Sequence, residues 1–325
     1  MLVTSSDTEF FAFGEVLWDC LPSGRHPGGA PFNVAAHLAQ LGGSVGLISA
    51  IGADALGDEI LQVAKEKGVQ TQYVSRARIG LATGTVLVTV DAEGNATYEI
   101  VQPVAWDEID VPDEALAAVG RARALVFGSL AGRSPYNLEQ LERLLAVPGP
   151  LKFFDVNLRP PFADPALVMD LARRTDVIKL NDQEVGQLAA WLRKDRSPPA
   201  TPTGTEGLAD ACRVIAEATH AERICITRAA QGAAFWERGH LTCAPAPHVE
   251  VRDTVGAGDA FMAGLVVGLT RQWEISRVLE NACQLGAFVA SQHGATPRFP
   301  PELIQRFAFA EPSKTGAGSL PLNAR

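Results

Sequence analysis

The chain has 325 residues and is 47% hydrophobic, enough for a large core in one or two domains. A formal net charge of -9 argues against a nucleic-acid surface but leaves room for anionic small substrates held by local basic groups. Five scattered cysteines without a Cys-x-x-Cys pair argue against a disulfide framework or structural zinc, and predict a reducing, cytoplasmic setting. No apolar stretch reaches transmembrane length, so a membrane partner is not expected.

Phe10–Gly14 reads as a first buried strand. Ala30–Leu41 follows as a helix, with Val34, Leu38 and Leu41 at three- and four-residue steps. Val45–Ile51 is the next strand and Asp54–Lys67 the next helix. The pattern then changes: Thr85–Val101 reads as a hairpin turning at Ala92–Asn95, an interruption that suits a small sheet over a cleft. Alternation resumes with strand Ala124–Phe127, helix Asn137–Leu145, strand Lys152–Asp155, helix Pro165–Arg174, strand Val177–Leu180 and helix Gln183–Leu192. A polar, Pro-rich loop spans Arg193–Gly207. Beyond it lie helix Leu208–Thr219, strand Arg223–Thr227 and a hairpin of Gly232–Trp236 with Leu241–Ala244. Helices Ala257–Thr270, Ile275–Gln292 and Pro301–Phe307 follow, and Glu311–Arg325 reads as a frayed tail. Strands alternating with helices predict an α/β fold with a mostly parallel sheet covered on both faces.

Asp253-Thr-Val-Gly-Ala-Gly-Asp259 carries the chemistry. Gly256, Ala257 and Gly258 allow backbone N–H groups to converge on an anion at a helix N-terminus, and Asp259 places a carboxylate beside it. Accepting the proton of an attacking hydroxyl is the natural task for such a carboxylate. Asp is also simply a good first-turn residue. No Gly-Lys-Ser/Thr ending marks a P-loop, and Gly14-Glu-Val-Leu-Trp-Asp19 lacks the dinucleotide spacing. Zinc-protease and Gly-x-Ser-x-Gly hydrolase patterns are absent.

In Gly24–Asn33, the pair Gly28-Gly29 lets backbone approach a ligand, and Pro31 organises a helix start. Asn33 and Asp19 suit polyol hydroxyls; a plain helix-start loop accounts for them equally well. After the next strands come Asp155, Asn157 and Arg159, then Asn181 and Glu184, where ligands of a parallel sheet gather. Arg159 suits a transferring phosphoryl group. Asn181 and Glu184 suit phosphate or water-bound magnesium, or a helix cap.

Gly28–Gly42 and Asp253–Phe261, taken together, resemble the two signatures of the PfkB/ribokinase family of carbohydrate kinases, and the likeness runs from Phe10 to Pro300. Gly14–Asp19 and Phe154–Pro160 resemble bacterial fructokinases within that family. The resemblance implies a ribokinase-like three-layer α/β/α sandwich as a single domain over residues 1–310. Small β-lid elements are implied near 14–30 and 80–103. It implies phosphoryl transfer from ATP with Mg²⁺, and a monovalent cation, K⁺.

By motif position, Asp19, Gly28, Gly29, Asn33 and Asp259 would hold the sugar, with Asp259 as base, Gly256, Ala257 and Gly258 as anion hole and Arg159 beside them. Asn181, Glu184, Thr227, Gly232, Gly256, Gly258 and Asn281 would face the nucleotide; Glu184 would serve the magnesium, and Asp253, Val255, Ala290 and Gly294 the monovalent cation. D-fructose is the first substrate choice; 2-keto-3-deoxygluconate, ribose and nucleosides are alternatives, as is a catalytically silent sugar sensor. An acidic sugar would need a cation such as Arg25 or His26. An exposed apolar face on the lid hairpin would mark a homodimer. One departure stands out: Thr227-Arg-Ala-Ala-Gln-Gly232 carries Ala229 where the family has glycine.

Overall fold

The computed structural model describes residues 8–21, 24–78, 80–90, 96–193 and 200–308. The chain opens with β1 (Phe10–Phe13), runs out into β2 (Leu17–Leu21) and β3 (Gly24–Gly28), and returns through α1 (Ala30–Gln40) to β4 (Val45–Ile51). Next come α2 (Ala55–Glu66), β5 (Gln70–Arg76), β6 (Gly84–Val90), β7 (Ala96–Ile100) and α3 (Asp113–Val119). Regular alternation follows: β8 (Ala124–Gly128), α4 (Pro135–Leu145), β9 (Leu151–Asp155), α5 (Pro165–Ala172), β10 (Val177–Asn181), α6 (Asp182–Arg193), α7 (Gly204–Thr219) and β11 (Arg223–Thr227). The chain then forms β12 (Ala233–Glu237), β13 (His240–Ala244), α8 (Ala257–Thr270), α9 (Ile275–Ala290) and α10 (Pro301–Gln305).

A nine-stranded sheet in the order β13-β12-β11-β10-β9-β8-β1-β4-β5 forms the centre. Pairing is parallel from β5 across to β11 and antiparallel at β12 and β13. Both faces are covered, which is why the strands read as continuous apolar runs. Alternation along each strand divides the core. Phe10, Ala12, Leu47, Val126 and Phe153 pack with α1, α2, α8, α9 and α10. Phe11, Phe13, Ile48, Leu125 and Phe154 pack with α3 to α7. This is the three-layer α/β/α sandwich expected from the sequence. Each fully buried Phe or Leu in these layers contributes about 1.5–3 kcal/mol.

A second sheet, in the order β3-β2-β6-β7, stands apart from the first. Leu17, Val86, Val88 and Ile100 form its own small apolar cluster. Two devices tie it to the main body. Trp18 Nε1 donates to the Leu56 carbonyl on α2 at 3.0 Å. Asp54, which caps α2 at the Gly57 N–H (2.8 Å), also accepts from the N–H and hydroxyl of Thr83 at 2.8 and 2.6 Å.

β2 and β3 fall within the stretch 14–30 where the family resemblance implied lid elements, whereas β5 and α3 are additions to the elements expected from sequence. The first two consist of Leu-Trp-Asp-Cys-Leu and Gly-Arg-His-Pro-Gly, which lack the alternation of a half-buried strand. α7 begins one turn earlier than Leu208, at Gly204, which shortens the Pro-rich loop; residues 194–199 of that loop lie outside the described residues. The hairpin tip at 91–95 and the tail at 311–325 lie outside them as well. α9 ends at Ala290, two residues before Gln292, and α10 at Gln305, two before Phe307.

Candidate active site

Parallel strands deliver their carboxyl ends to one edge of the sheet, and the residues after β1, β9, β10 and β11 meet there with the N-terminus of α8. Gly256 caps α8 with φ 78°, and its Cα packs against the Ala295 carbonyl so closely that any side chain would collide with it. No side chain caps this helix end. The Ala257 N–H donates to the Thr254 carbonyl at 3.3 Å, which leaves the Gly258 and Asp259 N–H groups of the first turn without a partner among the described residues.

Asp259 sits in the first turn of α8, half-buried and open on one side. Asn33 Nδ2, from the first turn of α1, donates to Asp259 Oδ2 at 2.8 Å. Burial pushes the Asp259 carboxyl up to about 6; Asn33 opposes that shift and Asp155 adds to it. Asn33 Oδ1 is buried with no partner. Asp19 lies against Gly28, where a side chain would strike its carboxylate, so the two residues are juxtaposed as the sequence suggested. Burial raises the Asp19 pKa, against the pull of His26, its cross-strand partner, and of Arg159. Arg159 is exposed at the rim and acts electrostatically on Glu15, Asp19 and Asp259.

Two charged residues here received no role from the sequence. Glu15 is buried, accepts the Ala30 N–H at 3.2 Å and leaves Oε2 without a partner; burial pushes its carboxyl up to about 7. Lys179 is buried within β10, and its ammonium bonds both oxygens of buried Asp155 at 2.9 and 2.8 Å. A Cβ on Gly258 would lie 3.6 Å from Lys179 Nζ, so the ammonium sits directly beside the glycine turn. Burial alone would pull the ammonium down, but Asp155 and Glu184 hold its pKa above the usual lysine value. The available signal was a lone charge inside an apolar strand, Val-Ile-Lys-Leu-Asn.

Asn181 and Glu184 form a reciprocal cap. Asn181 Oδ1 accepts the Glu184 N–H at 2.8 Å, and Glu184 Oε2 accepts the Asn181 N–H at 2.8 Å. Glu184 Oε1 takes the Leu158 N–H at 2.7 Å, tying the Asp155–Arg159 segment to this cap. Thr227 is the register partner of Asn181 on β11. Gly232 closes the following turn by accepting the Arg228 N–H at 2.7 Å. Asn281 is buried on α9, which packs over β12 and β13. Among the described residues, no hydrogen bond joins Gly232 or Asn281 to the other candidate residues.

Asp253 Oδ1 accepts the Val255 N–H at 3.0 Å and Oδ2 the Gly294 N–H at 3.1 Å, while the Asp253 N–H donates to the Ala290 carbonyl at 3.3 Å. The four residues proposed for a monovalent cation are thus neighbours. Arg25 turns away from Asp19: it pairs with Glu59 at 3.3 Å and lies 5.6 Å over the Trp18 ring. A cavity of about 360 Å³ lined by Gln102, Pro103, Asp107, Arg133 and Ser134 shares no lining residue with this site. Its Arg133 is bidentate to Asp107 at 2.8 and 2.9 Å and lies 3.9 Å from the Trp106 ring centroid, a structural arrangement. Among the described residues no helix is long and apolar enough to cross a membrane.

A helix-terminal anion turn with an adjoining carboxylate, at the carboxyl edge of a covered parallel sheet, defines a phosphate-handling α/β protein. The model for the pfkB family carbohydrate kinases matches residues 5–302, and the chain belongs to that family. It is 28% identical over 309 residues to a fructokinase of Escherichia coli, covering 89% of this chain and 95% of that one. An ATP-bound fructokinase structure from Xylella fastidiosa superposes with a TM-score of 0.78 at 24% identity, covering 93% and 98% of the two chains. An aminoimidazole riboside kinase from Salmonella enterica, complexed with its riboside and an ATP analogue, gives 0.71 at 26%, covering 92% and 100%. A fructokinase double mutant from Vibrio cholerae with fructose, ADP and potassium gives 0.74 at 24%, covering 94% and 99%.

Proposed function

We propose that this carbohydrate kinase transfers the γ-phosphoryl group of ATP to a primary hydroxyl of a neutral sugar, D-fructose first among the candidates. The observation that carries the reading is the Asn33–Asp259 bond at 2.8 Å, which joins the Gly-Gly helix to the base beside the anion turn. Asp259 accepts the hydroxyl proton while the α8 N-terminus and Arg159 take the charge of the transferring group. Lys179 stands beside the turn as a further positive charge, its own cost of burial offset by Asp155. The sheet β3-β2-β6-β7 serves as the lid, and with the main body makes one kinase domain.

Arg159 acts electrostatically on the three carboxyls Glu15, Asp19 and Asp259; buried Glu15 stands behind, and Asp19 and Asp259 form the acceptor set in this reading. Such a set accepts hydrogen bonds from polyol hydroxyls and repels a sugar acid. With Arg25 engaged by Glu59, the keto-acid reading loses one of its two candidate cations. The 26% identity to a riboside kinase keeps a nucleoside-like acceptor as the second reading.

Both Glu184 oxygens already accept backbone N–H groups, so this residue fits a divalent cation held through water, the mode Mg²⁺ favours. Asn181 and Glu184 would hold it, and it would supply neutralisation of the phosphate charge. A hard monovalent cation would be held beside Asp253 by main-chain carbonyls of Val255, Ala290 and Gly294, the residues that its carboxylate and N–H bring together. ADP release measured with ATP and magnesium across fructose, ribose, 2-keto-3-deoxygluconate and aminoimidazole riboside tests the assignment. Fructose should give the highest kcat/KM; a preferred riboside would replace it.

A further inference from the structure

We infer that the face of α1 bearing Asn33, His37 and Gln40 is a strut that sets the phosphate turn against the acceptor site, with His37 as its positioning residue. This inference rests on the kinase reading above. Steps of four and three place the three side chains on one helical face. The first reaches Asp259. The other two reach residues 294–299, a segment without helix or strand. His37 Nε2 lies 3.1 Å from the Ala295 carbonyl. Gln40 Nε2 donates to the Pro297 carbonyl at 3.1 Å, and its Oε1 accepts the Phe299 N–H at 2.9 Å.

Ala295 is the residue against which Gly256 packs, and the adjacent Gly294 N–H holds Asp253 at 3.1 Å. One helix therefore grips the base directly and the floor of the anion turn indirectly. A carbonyl can only accept, so the His37 ring carries its hydrogen on Nε2, and Nδ1 is left buried without a partner. Burial holds His37 down at about 3, which keeps the ring neutral and the donor in place throughout the working range. The ring stacks on Phe299 with centroids 5.1 Å apart and 18° between planes, and Phe299 meets Phe288 of α9 edge-on at 5.8 Å.

A core histidine that merely fills space would explain the stacking. It would not explain why both long polar side chains of this face end on the same irregular segment behind the turn. Leucine at 37 keeps the bulk but leaves the Ala295 carbonyl unpaired, so the floor of Gly256 can shift. Displacement of reacting groups by about 1 Å can lower a rate by up to about 10²-fold.

The test compares wild type, His37→Leu, His37→Gln and Gln40→Leu for kcat, sugar KM, ATP KM and thermal midpoint on the same sugar. His37→Leu and Gln40→Leu should lose about 10-fold or more in kcat, with sugar KM held within about 2-fold. His37→Gln, whose amide can donate to Ala295, should recover to within about 3-fold of wild type. A lowered midpoint with unchanged kcat, or glutamine no better than leucine, would overturn the strut. If His37→Leu does not fold, Gln40→Leu decides by the same readouts. Absence of wild-type turnover on every sugar defeats the kinase reading itself, whereas turnover with unaltered variants defeats the strut alone.

Discussion

At the scale of single residues, Ala229 is the clearest place where chemistry and backbone disagree. It takes φ 46°, a left-handed conformation that suits the glycine its family carries there. Ala229→Gly should therefore stabilise the chain by about 1 kcal/mol in urea unfolding, with ATP KM unchanged or lowered. An unchanged midpoint would mean that the turn absorbs the methyl group without strain. The departure was readable in the sequence; its conformation was not, because a φ angle is set by the Gly232 closure. Glu15 shows the converse. A glutamate after a buried strand looks like a surface charge until packing removes its water. Its raised pKa has a definite sign in folding. The native state binds more protons than the unfolded chain between about pH 4.5 and 7, so this group's contribution to stability falls as pH rises through that window. Glu15→Gln should raise the thermal midpoint at pH 8 and leave it nearly unchanged at pH 4.5. Equal shifts at both values would contradict a buried, titrating carboxylate.

Among elements, β9 and β10 carry a buried ion pair between them. Removing only the cation strands a buried carboxylate, and Lys179→Met should cost about 3–5 kcal/mol. Replacing both partners, with Asp155→Leu added, should return much of that stability. Activity should stay low in both variants if Lys179 serves the phosphoryl group, so denaturant midpoints and kcat separate the two roles. Restored activity in the double variant would make the pair purely structural. The parallel elements were legible because Ile-Lys-Leu and Phe-Phe-Asp sit in short apolar runs between helical periods. The small sheet was only half legible. β6 and β7 alternate visibly, whereas β2 and β3 are short and do not; β2 is held by Trp18 on Leu56 and the start of β6 by Thr83 on Asp54, contacts made across more than 25 residues. Sequence periodicity does not report such contacts.

On the scale of the whole molecule, the fold brings four separated segments to one edge of the sheet, and the sequence named all four from their position after strands. It left two readings open for Asn181 and Glu184, and the structure forms the cap without removing the water-bridged cation role. What sequence could not supply was which side chains touch: Asn33 and Asp259 are 226 positions apart. The small sheet exposes Leu21 and Leu87, and sedimentation would reveal whether they mediate self-association. With the Asp259 carboxyl of the free protein pushed up to about 6, kcat/KM should fall on the acid side of that value, since only the ionised form accepts a proton. A flat profile down to pH 5 would remove Asp259 as the base. The most direct test of phosphoryl transfer is sugar-dependent ADP release by wild type beside Asp259→Asn. Asp259 as proton acceptor requires fructose-dependent turnover that drops about 10²–10⁴-fold in the variant, with fructose KM little changed. Turnover that survives the substitution, or a folded wild type silent on every sugar and riboside offered, would contradict it.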